Sequence, residues 1–515
     1  MNFLRDLHVL VLGLGDSGLA CARWCVRHGA HVRVWDSRET PPGAAALADE
    51  LPGVVQLRGE LTPGMLAPSQ LVLKSPGLAP ADARVAPLLA AARAAGLAVW
   101  GELDLFARAL QDLKAERAYA PRVLAITGTN GKTTTTAMAA LLIERSGLRT
   151  VAAGNIGPTL LDTLTTVLTG DADVATWPEA WVLELSSFQL DDAAPFAADA
   201  AAVLNISQDH LDWHGSMDDY VAAKSRIVVA GGVMVLNADD PRVAAMAPAA
   251  QAAGLSKQAR AKLPPPRTVL HFGLHVPQHP GDFGLVTENG MDWLVRAVPE
   301  DPTIKRAKGE APEIYLQRLM PADALLVRGR HNAANALAAL ALATAIGRPL
   351  APMLHGLREY RGEPHRMQWV GAVGEVDAID DSKGTNVGAT VAALEGLGAD
   401  KAPARLIVIL GGDGKGQDFT PLRAPLQRYA RAVALIGRDA AVLASVAAEA
   451  GVAHATHATL EAAVAWCFTL AHSGDAVLLS PACASLDMFR NYAHRAEVFV
   501  DAVRALALER GEVAA

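Results

Sequence analysis

Residues 125–136 read AITGTNGKTTTT, and this run narrows what the chain can fold into more than any other stretch. An apolar segment, 122–126, leads into it, and a helical pattern, 137–146, leads out of it. A strand that turns through a glycine loop into a helix belongs to a parallel α/β layer, where unpaired N–H groups gather at the helix N-terminus. Gly128 and Gly131 let the backbone curl so that such groups face an anion. Lys132 supplies a cation for terminal phosphates, and Thr133 stands where a hydroxyl would hold Mg²⁺. The loop departs from the GxxxxGKS/T pattern at its first glycine, where Ile126 stands. A nucleoside triphosphate site is the reading, against a glycine-rich turn that binds nothing.

The chain has 515 residues, too many for one core; at roughly 150 residues per domain it should form three. It is 51% hydrophobic and 19% charged, the balance of a folded globular chain. The formal net charge is −8 and no basic stripe is visible, which argues against a nucleic-acid partner. Cys21, Cys25, Cys467 and Cys483 form no CxxC pair, and so few thiols suit a reducing, cytoplasmic setting. The apolar run 7–14 is short and leads into GDSG, unlike a signal peptide. No stretch reaches the ~18 apolar residues of a membrane span.

The fold class expected is α/β in three domains: 1–101 Rossmann-like, 102–361 a central ATPase unit, and 362–515 a dinucleotide-fold-like unit. In the first, 9–12, 32–35, 71–73 and 99–100 read as strands, and a linking helix covers 102–118. In the second, 123–126, 181–185, 201–205 and 232–237 read as buried strands. The stretch 256–323, rich in Pro, Gly and charge, reads as irregular strands and loops, and 332–346 as a buried Ala/Leu helix. In the third, 406–410, 432–436 and 476–479 read as strands.

Polar clusters follow these strands. Gly13, Gly15 and Gly18 with Asp36 make a dinucleotide-type fingerprint, which provides for phosphates and a ribose but does not choose between NAD and UDP. Ser75 and Gly77 form a second loop in the same unit. Glu184 ends a buried strand near the phosphate loop, where a Mg²⁺ ligand belongs. His210 sits in a polar loop after another strand and could bind metal or substrate, or be structural. Lys224 on a helix reads by itself as a solvated charge. Asn155 closes a turn or meets a ligand; Asn332 caps its helix or meets a nucleoside. Lys383, Lys415 and Arg366 would face one crevice at strand ends, suited to a carboxylate and a moving phosphoryl group.

Taken in order, GTNGKTT, ELSSFQL, DHLDWH, AAKSRI, GRHNAANALAAL, PHRM, DDSKGTN, LGGDGKGQDF and SPACASLDMF resemble the Mur ligase family over about residues 5–505. GLGDSG, LGGDGKGQDF and SPACASLD point to its D-glutamate-adding branch. The resemblance implies an ATP-dependent ligase working through an acyl phosphate on UDP-N-acetylmuramoyl-L-alanine, monomeric, with no membrane or nucleic-acid partner. It implies ATP contacts from Gly128, Thr129, Asn130, Gly131, Lys132, Thr133, Thr134, Asn332, Asn335, Arg366 and Asp381. Thr133 and Glu184 would serve one Mg²⁺, His210 and Lys224 a second, with Lys224 carbamylated. Lys132, His210, Lys224 and Arg366 would carry the chemistry. Substrate contacts would come from Ser17, Asp36, Ser37, Arg38, Ser75, Gly77, Asn155, Ser186, Gln189, His210 and Lys383. Thr385, Lys415, Ser485 and Tyr492 match the family's positions for D-glutamate. Tyr492 departs from the family's Phe, and 277–323 is longer than the family leads one to expect.

Overall fold

A computed structural model describes residues 2–191, 193–228, 231–248, 267–299, 313–327 and 329–512. Three sheets follow one another along the chain. The first has five parallel strands built on His8–Leu12, which lies between His31–Trp35 and Leu71–Lys74. Short strands Val55–Leu57 and Ala98–Trp100 close its edges. Gly18 is required where the first helix, Asp16–Arg27, crosses the sheet: a Cβ there would lie 1.9 Å from the Gly13 carbonyl oxygen.

The second sheet has nine strands. Arg122–Thr127 runs between Ala180–Glu184 and Ala200–Val203, all parallel and apolar on both faces, as a sheet covered by helices on both sides must be. Val233–Asn237 and Val269–Phe272 extend it in the same sense. The described parts of 256–323 correct the expectation of irregularity. Phe283–Glu288, Met291–Pro299 and Ile314–Pro321 form a regular antiparallel meander that widens this sheet. Asn289 and Gly290 turn the first pair of these strands, and their burial does not alternate cleanly, which hid them in the sequence. The remainder of that stretch, 256–266 and 300–312, lies outside the described residues.

The third sheet has six strands, with Ala476–Leu479 at its centre between Val376–Asp380 and Leu406–Gly411. The antiparallel edge strand Gln368–Val373 and the strand Ala453–Thr456 are too short or too polar for the sequence to announce. All four cysteines are buried and unpaired. Among the described residues no helix is long and apolar enough to cross a membrane.

The helix Arg330–Ala345 is the keystone of the central core. Its residues from Ala336 to Ala343 are all fully buried, packed directly against the helix Lys132–Arg145 and against one face of the sheet. Alanine on every side lets two layers approach it closely, and Leu337, Leu340 and Leu342 fill what remains. Leu340→Ala should therefore cost about 2–5 kcal/mol of unfolding free energy, measured by urea denaturation.

Candidate active site

The strand Arg122–Thr127 and the helix Lys132–Arg145 hold the glycine loop between them. Gly128 and Gly131 have φ of +156° and +82°, which a side chain would strain. A Cβ on Gly131 would also meet Asn335 Oδ1 at 2.5 Å. One expectation needs correction. The N–H groups of Thr129 and Asn130 do not point at an anion: they donate to the main-chain and side-chain oxygens of Asn205, both at 2.8 Å. The first turn of the helix is the part of the loop that could face an anion, since its N-cap, Gly131, offers no side chain to its N–H groups. Lys132 Nζ folds back to donate to the carbonyls of Gly128 and Thr129, both at 2.8 Å. Burial lowers its pKa.

Behind the loop, Lys224 is fully buried, and its Nζ also donates to the Gly128 carbonyl at 2.8 Å. It lies over the ring of Tyr220, whose hydroxyl meets Thr129 Oγ1 at 3.0 Å. Lys224 is therefore not a solvated charge. Burial first, then the Lys132 cation, drives its pKa well below the lysine range, which favours a neutral, nucleophilic amine. Glu184 is equally buried. Its Oε1 accepts from the Asn155 amide at 2.7 Å, while Oε2 has no hydrogen-bond partner among the described residues. A buried carboxylate oxygen left unpaired, together with the hydroxyl of the phosphate loop, suits a hard divalent cation such as Mg²⁺. The unmodified amine of Lys224 does not, because it offers nitrogen and no oxygen to a hard cation. His210 Nε2 stands 3.5 Å from Asp209 Oδ2 and its ring meets Phe188 edge-on. Burial lowers the pKa of His210 to about 4, so the ring is neutral near pH 7 and free to accept.

The third unit closes over this loop. Arg366 Nη2 donates to Thr133 Oγ1 at 2.6 Å. Asn130 and Asn386 exchange side-chain hydrogen bonds, at 3.1 and 2.9 Å, and Asn386 also donates to Asp209 Oδ2 at 3.1 Å. Between the units lies a cavity of about 380 Å³, the size of a nucleotide site. Asn130, Gly131, Thr134, Asn332, Asn335, Arg366, Asp381 and Lys383 supply its polar wall; Leu204, Phe272 and Leu274 supply apolar surface. Asn332 does not cap its helix. Gly329 does, and Asn332 lies inside the first turn, where its Oδ1 accepts from Asn335 Nδ2 at 3.2 Å. Burial raises the Asp381 carboxyl to about 7, against a lowering bond from Ser480 Oγ at 2.7 Å.

The amino-acid candidates form a group on the third sheet. Lys383 Nζ lies 5.0 Å from the Tyr492 ring centre. Ala482 N–H donates to the Gly384 carbonyl at 3.0 Å, joining the loop of Lys383 and Thr385 to that of Ser485. Lys415, at φ +52°, lies on the neighbouring loop and acts electrostatically on His210. The N-terminal candidates form a separate group. Asp36 accepts from Leu14 N at 2.7 Å and takes Arg38 in a two-pronged ion pair, which holds its carboxyl at about 2. Ser75 Oγ donates to the Gly13 carbonyl at 3.0 Å. Ser17 opens the first helix, and Ser37 and Gly77 are exposed. Ser186 and Gln189 are engaged with each other in a capping box, so their oxygens serve the short helix Ser187–Leu190. Gln189 still lines a small gap between the first two units with Lys74 and Trp100.

Asn205, Asp209, Tyr220 and Asn386 carry this geometry without having been assigned roles from sequence. Asp209 lies in DHLDWH and Asn386 in DDSKGTN, while Asn205 and Tyr220 stand just outside the quoted motifs; what all four do is join distant segments, which local sequence does not show.

Three family models match the chain: the Mur ligase MurD-like N-terminal domain at 7–101, the Mur ligase middle domain at 126–263, and the Mur ligase glutamate ligase domain at 365–483. A UDP-N-acetylmuramoylalanine--D-glutamate ligase of Albidiferax ferrireducens is 56% identical over 515 residues, covering 99% of this chain and 98% of the relative. The enzyme of that name from Burkholderia pseudomallei is 57% identical over 513 residues, covering 98% of each chain. Among solved structures, the UDP-N-acetylmuramate-alanine ligase of Thermotoga maritima matches with a TM-score of 0.56 at 19% identity, over 97% of this chain and 100% of that one. A MurF ligase from the same organism, in complex with ADP, gives 0.55 at 16%, over 98% and 96%. These two share the fold.

His331 lines the cavity and is held at about 4 by burial, below its ordinary 6.5. The unfolded chain takes up this proton from about pH 6.5 downward, whereas the folded chain resists it to about 4. Stability is thus complete above that window and falls as pH is lowered through it, by at most about 1.4 kcal/mol per pH unit for this group. Urea midpoints taken across the window should fall less steeply with decreasing pH in His331→Gln than in the unsubstituted chain, the difference being this group's share beside those of His210 and Asp381.

Proposed function

The chain belongs to the Mur ligase family, and from that we infer that it is an ATP-dependent ligase joining D-glutamate to UDP-N-acetylmuramoyl-L-alanine in peptidoglycan synthesis. The observation that carries the reading is the meeting of two units at the phosphate loop, where Arg366 donates to Thr133 and the amino-acid group lies beyond. A carboxylate is a poor electrophile. ATP converts the L-alanyl carboxylate to an acyl phosphate, with ADP released. The amine of D-glutamate then attacks the acyl carbon, a tetrahedral intermediate forms, and phosphate leaves as the amide is made.

For such a reaction the protein mainly positions groups and neutralises charge. The first turn of helix Lys132–Arg145 would receive the phosphates, with Lys132 and Arg366 flanking the transferred group from opposite units. Asn332, Asn335 and Asp381 would face the nucleoside in the cavity between the units. Thr133 and Glu184 would hold Mg²⁺, which when bound offsets charge on the phosphoryl oxygens. His210, neutral at working pH, has a ring nitrogen suited to accept a hydrogen bond from the substrate or to ligate a second ion. Lys383, Thr385, Lys415, Ser485 and Tyr492 would bind D-glutamate. Ser17, Asp36, Ser37, Arg38, Ser75, Gly77 and Asn155 would face the nucleotide sugar. Closure of the third unit excludes water that would hydrolyse the acyl phosphate.

A carbamate on Lys224 is part of the proposal. The buried, neutral amine supports it: such an amine can add CO₂, and the product would be an anion with metal-binding oxygens. Two outcomes are expected. ATP-dependent incorporation of labelled D-glutamate into UDP-N-acetylmuramoyl-L-alanine should proceed, and activity with L-alanine or diaminopimelate in place of D-glutamate would overturn the substrate choice. Lys224→Ala should lose about 100-fold or more in turnover, with partial return on adding short-chain carboxylates. Near-normal turnover of that variant at saturating Mg²⁺ would remove the carbamate.

A further inference from the structure

We propose that Arg495 is the positioning residue of the amino-acid site: its guanidinium ties together the three segments that present D-glutamate contacts and sets the spacing between them. The inference rests on the reading that Lys383, Thr385, Ser485 and Tyr492 receive that amino acid.

Arg495 lies on the helix Tyr492–Glu509, one turn beyond Tyr492, and none of it is exposed. Its Nη2 donates to the Ser382 carbonyl at 2.9 Å and to the Cys483 carbonyl at 3.2 Å; Nη1 donates to the same Cys483 oxygen at 3.2 Å. Ser382 directly precedes Lys383, and Cys483 stands two residues before Ser485. One planar group therefore touches both loops and springs from the helix that begins with Tyr492.

A buried guanidinium held by carbonyls, with no carboxylate ion pair among the described residues, is a costly way to fill a core. An apolar side chain would fill the volume more cheaply. A rigid fork of donors does something an apolar chain cannot, because it fixes the distance and angle between two carbonyls. Its Nε is buried without a hydrogen-bond partner among the described residues, so the fork is aimed at those two oxygens even at the expense of its own third edge. The loop it holds is strained as well. Ala482, buried, has φ +59°, and its neighbour Ala484 exchanges bonds with Asp413 at 3.0 and 2.9 Å. Such a conformation persists only where the surroundings over-determine it. D-glutamate carries two carboxylates and an amine at fixed separations, and contacts drawn from three segments match it only while those segments keep their spacing.

The test uses the full-length enzyme with Arg495→Met and Arg495→Lys. Initial rates are measured with D-glutamate, ATP and the nucleotide sugar varied in turn, beside thermal melts. The expected result is a rise in KM for D-glutamate of about tenfold or more in Arg495→Met and a smaller rise in Arg495→Lys, with the other two KM values within about twofold. If all three KM values move together, or if only the melting temperature falls, Arg495 is a core residue and the inference is overturned. Should Arg495→Met fail to fold, the same ratio in Arg495→Lys decides. Amide exchange on the unsubstituted enzyme needs no variant: D-glutamate should slow exchange in 381–386 and 482–487 together, and protection of one loop alone overturns the inference. A wild-type enzyme that ignores D-glutamate would instead fail the functional reading beneath it.

Discussion

Two side-chain amides, Asn130 and Asn386, face each other across the boundary between the second and third units and satisfy one another's donor and acceptor. Much of the site depends on this pairing. Asn130 belongs to the phosphate loop, and Asn386 caps the helix Val387–Lys401 directly after the Lys383–Thr385 loop. Buried amides are costly unless both ends are satisfied, so the pair is stable in one relative placement of the two units. In that placement Arg366 reaches Thr133, and the cavity acquires walls from both sides. Contacts that nucleotide chemistry needs thus become available only when the amino-acid unit is docked.

The site concentrates polar groups that burial penalises. Lys132 and Lys224 share the Gly128 carbonyl, Glu184 keeps an unpaired oxygen, and Asp381 is raised to about 7. Each arrangement would be destabilising in an ordinary core. Here they lie at the carboxyl ends of parallel strands, where helix N-termini and the phosphates of a bound nucleotide can offset them. The helix Arg330–Ala345, fully buried from Ala336 to Ala343, and the apolar strands beneath supply the stability that such a site consumes.

Much of this was legible in the chain. Buried parallel strands announce themselves as apolar runs, and glycine loops at their ends mark ligand positions, so the phosphate loop, Glu184 and the Ala/Leu helix were readable. The antiparallel strands Phe283–Glu288, Met291–Pro299 and Ile314–Pro321 were not, because their burial does not alternate cleanly: Phe283, Gly284 and Leu285 are buried in succession, as are Leu294 and Val295. Asn332 illustrates a different failure. An asparagine near a helix start usually caps it, but Gly329 at φ +92° does so here, which places Asn332 inside the turn and beside Asn335. Ser186 and Gln189, expected to face the substrate, also close a capping box on the short helix Ser187–Leu190, a local role that the sequence reading did not assign.

The sequence by itself determined the kind of chemistry: local order of strand, glycine loop, lysine and helix is a short-range property, and short-range geometry is enough to make an anion site. It also determined three α/β units, since apolar periodicity is written residue by residue. Only the tertiary structure decided the environment of each charge. Lys224 reads as a solvated lysine until the Gly128 carbonyl and the Tyr220 ring close around it, and Arg495 carries no signal until Ser382 and Cys483 arrive from loops about 100 residues apart. Electrostatic energy depends on distance and burial in space, and neither is a function of position along the chain.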